Sequence, residues 1–164
     1  MIPTARGTMT PVRRALLPFL ISISLAACAT SGASPGPAAK AHLVVHASGE
    51  PVTLEVEIAD APDERALGLM GRSSLPADAG MAFLWAEPVG GSFWMKDTLI
   101  PLSIAFWDVH GEIVRILDME PCAADPCPTY APGVAFVGAV EVNQGYFAEH
   151  GISLGDRVEL LPNP

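Results

Sequence analysis

Alternation between apolar and polar side chains is clearest in the first third of this chain. Residues 52–58 read Val-Thr-Leu-Glu-Val-Glu-Ile, which is the period-two pattern of a strand with one buried and one wet face. Residues 42–47 are predicted to pair with this strand through a turn at residues 48–51. Further strands are predicted at residues 81–85, 92–95, 102–109, 112–119, 134–143 and 157–160, with a tight hairpin turn at His110-Gly111.

Between Asp60 and Gly71 the pattern changes to that of a short helix. Asp60 can cap the amino end, Pro62 fits the first turn, and Gly71 can end the helix. A further helical turn is predicted at residues 146–150. Many short strands punctuated by Gly and Pro, with one good helix, predict an all-β sandwich or barrel with minor α content.

The amino-terminal segment is predicted to be an export signal. Arg13 and Arg14 precede a neutral apolar stretch, residues 15–27. As a helix this stretch would rise about 20 Å, which is short of the roughly 30 Å needed to span a bilayer. Met9 is an alternative start to Met1, since it would leave a compact basic region before the apolar stretch.

The apolar stretch ends at Leu25-Ala26-Ala27-Cys28, which resembles a bacterial lipoprotein signal. Cys28 is then expected to carry the lipid, and the membrane becomes a partner; the alternative is an ordinary cleaved signal with an incidental cysteine. Ala29 rather than Asp favours, by resemblance to lipoproteins of diderm bacteria, export to the periplasmic face of the outer membrane.

Three regions follow from these patterns. Residues 1–27 are predicted to be the lipoprotein signal peptide and residues 28–41 the lipidated cysteine with a flexible tether. The tether is small, rich in Pro, Gly and Ser, and nearly uncharged. Residues 42–164 are predicted to form a single β domain.

Length and charge narrow the class of protein. A chain of 164 residues, 50% apolar, suffices for one domain and not for two separate cores. Its net charge of −9 becomes −12 when the signal, with three of the nine cations, is removed. Because no run of Lys or Arg follows Arg14, the chain lacks the basic footprint that binds phosphates, and nucleic acid is not expected as a partner.

Two cysteines remain in the predicted domain, Cys122 and Cys127, in a loop that also carries three prolines. Nearby cysteines in an exported protein usually pair, and closing this short loop would contribute about 2 kcal/mol. A redox motif would be more compact and would open a helix. Ligation of a soft metal by the pair is the remaining alternative.

Several motifs occur in order along the chain: Glu64-Arg65-Ala66-Leu67-Gly68-Leu69-Met70, Gly80-Met81-Ala82-Phe83, Phe93-Trp94-Met95-Lys96-Asp97-Thr98, Pro101-Leu102 and Gly155-Asp156. From about residue 52 to 158 the chain resembles the bacterial and archaeal family known as domain of unknown function 192. The resemblance implies an all-β, jelly-roll-like sandwich or barrel with one short helix after the first strands. It implies no established activity.

The chain departs from the pattern of that family at two positions. Asp97 stands where the family has Asn, so hydrogen-bond donation by an amide is lost there at neutral pH. Ser103 stands where the family usually has Asp, so any chemistry of that acid is also lost. Asp108 and Glu141 stand where the family tends to place its later acids.

The short signatures of common hydrolases and nucleotide-binding enzymes are absent, which favours a non-enzymatic protein. The candidate site residues are Trp94, Lys96, Asp97, Thr98, Trp107, Asp108 and Glu141. Of these, Lys96, Asp97 and Glu141 could supply a general acid and base at one rim. The structural alternative makes Lys96 and Asp97 turn charges, Thr98 a backbone hydrogen-bond donor and Glu141 half of an ion pair.

Metal binding has weaker support. Met70, Met81 and Met95 carry the soft thioethers found in exported Cu(I) sites, but the large apolar neighbours of each also suit a packed core. His42 and His46 would share a strand face without forming a ligand set. No cofactor is expected.

Aromatic residues suggest a stacking platform for a sugar, although large aromatics in such a domain are mostly core. The candidates are Trp85, Trp94, Trp107, Phe93, Tyr130 and Tyr146. Alternation from Leu102 to Asp108 directs Trp107 away from Leu102, Ile104 and Phe106, and predicts that it is the most exposed aromatic.

The leading hypothesis is a non-enzymatic envelope lipoprotein that binds an unidentified small molecule, glycan or envelope protein through the rim at residues 94–98 and Glu141. The first alternative is a carbohydrate-binding module for envelope glycans. The second is an enzyme that uses Lys96, Asp97 and Glu141.

Overall fold

The computed structural model describes residues 38–122 and 124–162. The predicted signal peptide, Cys28 and most of the predicted tether lie outside the described residues. Within these two ranges, no helix is both long and apolar enough to cross a membrane.

The described residues form nine strands and two short helices. They are β1 (Lys40–His46), β2 (Val52–Ala59), α1 (Pro62–Leu67), β3 (Ala79–Val89), β4 (Phe93–Trp94), β5 (Leu102–Trp107), β6 (Ile113–Met119), β7 (Thr129–Tyr130), β8 (Phe136–Asn143), α2 (Tyr146–Glu149) and β9 (Arg157–Pro162). The mostly β fold class predicted from the sequence is confirmed. β1 includes Lys40 and Ala41, which the sequence pattern had placed in the tether, and the two-residue strand β7 was not predicted.

Seven strands form one mixed sheet in the order β6-β5-β8-β3-β2-β1-β9. Neighbouring strands are antiparallel except β2 and β3, which run parallel and are connected through α1. The sheet curls into a half-barrel, and its two edges meet at one corner. There Ile113 N–H donates to Asp156 O at 2.9 Å, and Val158 N–H donates to Gly111 O at 2.7 Å. β4 and β7 form a separate two-stranded sheet.

The helix α1 is shorter than the sequence pattern predicted. It begins after Ala61 rather than Asp60, with Pro62 in the first turn, and the Glu64 carboxylate accepts the Ala61 N–H at 3.1 Å. It ends at Gly68 rather than Gly71, because Gly68 adopts a positive φ of 49° that breaks the helix three residues earlier.

Two apolar cores lie on the two faces of the sheet. The cleft-side core is rich in Phe and Met: Ala59, Leu69, Met81, Phe83, Met95, Leu102, Ile104, Phe106, Met119, Phe136 and Ala139. The far core is largely aliphatic and includes Leu43, Val45, Leu54, Val56, Trp107, Val140, Val142 and Phe147. Because every residue of β5 is buried, this strand supplies both cores.

The predicted exposure of Trp107 is wrong. Alternation correctly directs Trp107 to the face opposite Ile104, but that face is covered by the far core, and Trp107 is only 7% exposed. Its indole lies against the backbone of Gly138, where a Cβ atom would be 2.1 Å from the ring. A sheet buried on both faces therefore turns a predicted binding residue into a packing residue.

Candidate functional site

Glu141 is the only buried carboxylate among the described residues. It lies near the end of β8, with Met81 on one neighbouring strand and Ile104 on the other, and both of these belong to the cleft-side core. Burial away from water raises the pKa of Glu141 to about 8, with no contribution from an ion pair or a hydrogen bond of a described residue. At neutral pH this carboxyl group is therefore protonated and uncharged.

The Glu141 carboxyl reaches a narrow cleft. Among the described residues, no fully enclosed side-chain nitrogen or oxygen lacks a hydrogen-bond partner. The Glu141 carboxyl has no partner among the described residues, and Glu141 lines this cleft. The cleft measures about 30 Å³, room for about one water molecule or one small functional group. It is lined by Arg65, Ala66, Leu67, Gly68, Leu69, Met70, Phe83, Phe93, Trp94, Thr98 and Glu141.

One wall of the cleft is α1 with the turn that follows it. Arg65 fixes the helix, since its guanidinium donates to the carbonyls of Asp60 and Leu84, the latter at 3.0 Å, and lies 5.1 Å from the Trp85 ring. After the helix, Gly68 lies so near the Phe83 ring that a Cβ atom would be in van der Waals contact at 3.4 Å. The turn is thereby pressed onto the cleft-side core.

A second wall is formed by β4 and the turn Met95–Thr98, which line the cleft through Phe93, Trp94 and Thr98. Thr98 N–H donates to Met95 O at 3.1 Å, and Asp97 adopts a positive φ of 55°. Asn and Asp tolerate this left-handed conformation better than other residues with a Cβ. Asp97 O accepts the Gly71 N–H at 2.8 Å, which ties this wall to the turn after α1. The Asn-or-Asp position thus has a backbone role, and the Asp97 side chain does not line the cleft.

Two of the residues that line the cleft are large, apolar and exposed. Leu67 is 52% exposed and Trp94 is 49% exposed, although both line the cleft. Thr98 is buried beside Glu141 in the lining, and its hydroxyl is 3.5 Å from Lys96 O, too far for a strong hydrogen bond. Two weakly engaged polar groups therefore share the cleft with two exposed apolar side chains.

Lys96 does not join Glu141. Its ammonium lies 3.0 Å from the Asp125 carboxylate and 5.6 Å from the centre of the Trp94 ring. With Asp97 it lines a separate cavity of about 110 Å³ beside the Cys122–Cys127 disulfide, whose formation the structure confirms. The proposed trio of Lys96, Asp97 and Glu141 is thus divided between two cavities.

Asp108 lies away from the cleft and shapes a turn. Its carboxylate accepts the N–H groups of His110 and Glu112 at 2.8 and 3.0 Å. The pKa of Asp108 is lowered chiefly by the hydrogen bond from the Glu112 backbone. Trp107, beside it, is part of the far core. Of the candidates from the sequence, Trp94, Thr98 and Glu141 share the cleft.

The other proposed sites are dispersed. Met81 and Met95 are buried in the cleft-side core, and Met70 lines the cleft itself. Tyr146 is buried and stacks on His150 at 3.9 Å in the far core, so the six aromatics do not form one platform. In the part of the chain that the structure describes, no three His, Cys, Asp or Glu side chains are grouped as metal ligands.

Sequence reasoning missed the contribution of α1 and the turn after it. Arg65, Leu67, Gly68 and Leu69 line the cleft, but the pattern at residues 60–71 was interpreted only as a helix. A signal was present, because Leu67 and Gly68 stand within the motif on which the family resemblance rests. The exposed Leu67 and the helix-ending Gly68 thus line the cleft in addition to ending α1.

Comparison with known proteins gives a family and a fold. The family model DUF192, described as "Uncharacterized ACR, COG1430", matches residues 43–160. A crystal structure of a "putative transcription regulator" from Sinorhizobium meliloti 1021 is 29% identical, covers 77% of this chain and 98% of its own, and superposes with a TM-score of 0.72. A protein of unknown function from Novosphingobium aromaticivorans is 28% identical, with a TM-score of 0.69 and coverage of 77% and 94%. No curated protein matches the chain. On the strength of the match over residues 43–160, the chain belongs to the uncharacterised DUF192 family.

Proposed function

We propose that this protein is an envelope lipoprotein whose β domain binds a small uncharged ligand in the Glu141 cleft. The observation that carries this proposal is a buried carboxyl group, with a pKa raised to about 8, in a cleft that the exposed side chains of Leu67 and Trp94 also line. A ligand would place a hydroxyl, carbonyl or amide group inside and rest an apolar flank on Leu67 and Trp94.

The chemistry of the cleft disfavours ligands that place a charged group beside Glu141. A protonated carboxyl has one donor and additional acceptor capacity, and the Thr98 hydroxyl can also donate and accept. The cation in the lining, Arg65, is already bonded to the carbonyls of Asp60 and Leu84, so an anion would recover little of the hydration that it loses. A cation would require the buried Glu141 carboxyl to ionise. Neutral hydrogen-bonding groups avoid both costs.

The envelope location rests on the amino-terminal sequence. The basic residues, the short apolar stretch and Leu25-Ala26-Ala27-Cys28 are typical of a lipidated export signal. An internal disulfide at Cys122–Cys127 supports an oxidising compartment. The regulator description of the Sinorhizobium protein does not carry over readily, because this chain has a net charge of −9 and no basic run after Arg14.

An enzymatic role is the second candidate, and the raised pKa of Glu141 is the observation that favours it. A carboxyl that stays protonated at neutral pH can act as a general acid. It ranks below binding because Lys96 and Asp97, its proposed partners in catalysis, line a different cavity. For the carbohydrate-binding alternative, Trp107 is buried and cannot stack on a sugar, whereas Trp94 is exposed and can.

The test is a thermal-shift comparison of head groups on one apolar tail. Butanol and butyramide are the neutral probes, and butyrate and butylamine are the charged ones, each up to the highest tolerated concentration. Neutral probes are expected to raise the melting temperature more than charged ones, because they bind more tightly beside the uncharged carboxyl. A ligand at 100 times its Kd stabilises the native state by about 2.7 kcal/mol, which gives a measurable shift. Neutral envelope saccharides form a further arm that tests the glycan alternative.

Two variants assign any shift to the cleft. Glu141→Gln keeps a neutral donor and acceptor, so binding at pH 7 should persist and should no longer weaken above pH 8. Glu141→Leu and Trp94→Ala should abolish it, whereas Asp108→Asn, a change of an acid outside the cleft, should not. If the shifts survive both Glu141→Leu and Trp94→Ala, the ligand binds elsewhere and the proposal is wrong.

A further inference from the structure

Cys122 and residues 124–130 are attached to the wall that carries Trp94; we call these residues the strap. At one end, β7 pairs with β4 so that Thr129 is opposite Trp94 and Tyr130 is opposite Phe93. At the other end, Cys122 N–H donates to Met95 O at 3.3 Å. One short stretch of chain is therefore attached both at Phe93–Trp94 and at Met95.

Between these ends, the described residues of the strap have few other attachments. The Asp125 carboxylate pairs with Lys96 at 3.0 Å, but Asp125 is exposed, and exposed ion pairs contribute little. A two-residue ladder such as β4–β7 is marginal by itself. The Cys122–Cys127 disulfide closes the strap into a ring and keeps both attachments in register.

The disulfide can be reached from solvent. Both cysteines are partly exposed and line the 110 Å³ cavity together with Lys96, Asp97, Ala124 and Asp125. A thiolate is the species that attacks or leaves during exchange, and the external dithiol supplies the attacking one. Cys122 also packs against the cleft-side core, so a change at this sulfur is felt on the cleft side of the sheet.

We propose that the Cys122–Cys127 disulfide is a redox switch, opened by a dithiol, that controls the shape of the Glu141 cleft through the strap. The consequence for ligand affinity rests on the function proposed above; the change in the cleft itself does not. With the disulfide closed, the Trp94 wall is held against the cleft. With it open, the strap loosens, water enters beside Glu141, and the cleft loses its fixed shape.

The exchange is balanced by the dithiol alone. One thiolate of the dithiol attacks a sulfur of the pair, the Cys122–Cys127 bond breaks, and a mixed disulfide forms. The second thiolate of the dithiol then displaces the remaining cysteine. The protein gains two electrons and two protons as two thiols, and the dithiol leaves as a disulfide.

The experiment reads the cleft without any ligand. Carbon-13 NMR of labelled Glu carboxyls, with the Glu141 signal assigned by its loss in Glu141→Gln, follows the titration midpoint of Glu141. In the oxidised protein that midpoint should lie near 8. After reduction with dithiothreitol and alkylation under native conditions, it should fall by at least about one pH unit as water reaches the carboxyl. Cys122→Ser/Cys127→Ser should give the same lowered value and no response to dithiothreitol.

A matched control separates the switch from a general loss of stability. Val158→Ala creates a small cavity in the far core and lowers the melting temperature, but it should leave the Glu141 midpoint where it is in the oxidised protein. An unchanged Glu141 midpoint in reduced, alkylated, folded protein would overturn the proposal and leave the disulfide as a stabilising crosslink. An equal fall in Val158→Ala would overturn it too. A blank ligand screen affects neither outcome, so failure of the proposed function is distinguishable.

Discussion

Ser103 and Glu141 are both buried polar residues on neighbouring central strands, but they differ in their hydrogen bonds. Ser103 Oγ donates to the Asp118 carboxylate at 2.5 Å and accepts the Gly145 N–H at 2.9 Å, so its hydrogen bonds connect β5, β6 and the start of α2. Glu141 is 5% exposed and has no such partner among the described residues. Since buried polar groups cost stability unless they are satisfied, the first is a structural group and the second is a candidate for function.

The same contrast extends to the two cores. The far core is closed by the long strands, by α2 and by the hydrogen bonds where β6 meets β9. The cleft-side core is closed by turns, a two-residue strand and a disulfide. We infer that the far core carries most of the stability and that the cleft-side rim is the part that can move.

Trp107→Ala is the change with the largest expected effect. Removing this buried indole should lower the free energy of unfolding by about 3–5 kcal/mol, because the cavity left over Gly138 cannot collapse on a strand backbone. Urea denaturation measures the loss. If Trp107 instead belonged to a ligand platform, the loss would be small and ligand binding would change, which would erase the distinction between the two cores.

The second-largest effect is expected for the pH dependence of the free energy of unfolding. The pKa of Glu141 is raised to about 8 in the folded state, above the ordinary value of 4.5, so between these two values the folded chain holds a proton that the unfolded chain has lost. Its contribution to stability is therefore full below pH 4.5 and is lost as the pH rises towards 8. The decrease is about 2–3 kcal/mol between pH 5 and pH 7.

Urea denaturation at several pH values measures this slope. Glu141→Gln should remove it, whereas Asp108→Asn should leave it in place. If the stability of the wild-type protein does not change between pH 5 and pH 7, the pKa of Glu141 is not raised, and this carboxyl is solvated or paired like an ordinary one.

Ser103→Ala tests the satisfied member of the comparison. The Gly145 N–H would lose its acceptor, and the expected cost is about 1–2 kcal/mol. Amide hydrogen exchange should locate the change at Gly145 and α2 and leave the Glu141 cleft unaffected. Exchange that accelerates on the cleft side instead would contradict the independence of the two faces.

Asp97 gives the smallest expected effect and tests why the position is acidic. If its left-handed backbone matters most, Asp97→Asn should be neutral and Asp97→Ala should cost about 1 kcal/mol. Thermal melts of the two variants measure the difference. Should Asp97→Asn prove as damaging as Asp97→Ala, the carboxylate itself would be needed.

The sequence predicted the strands well because period-two alternation reports directly which face of a strand is buried. Residues 52–58 follow that rule, and the strands on either side of His110-Gly111 form the predicted hairpin. The rule failed for Trp107, because alternation identifies a face and says nothing about what covers it. β7 escaped prediction because a strand of two residues, Thr129 and Tyr130, has too few positions to show a period.

The candidate site was predicted only in part, and for a related reason. Trp94, Thr98 and Glu141 were selected because they stand in or near family-like motifs, and the structure brings them to one cleft. The burial of Glu141 depends on Met81 and Ile104, which come from strands far away in the sequence. A pattern along the chain cannot report how much water reaches a side chain across a curled sheet.

β9 pairs with β1 and also meets the beginning of β6 at the corner where the half-barrel closes. It is last among the described strands in chain order, and Pro162 at its end lies opposite Ala41 at the beginning of β1. During synthesis from the amino end, β9 is made after the other described strands. The edges formed by β1 and β6 therefore stay unpaired until β9 has been made. The same adjacency of ends makes the domain a good subject for circular permutation: a short linker from residue 162 to residue 40 would allow new termini to be opened at an exposed loop while every strand pairing is kept.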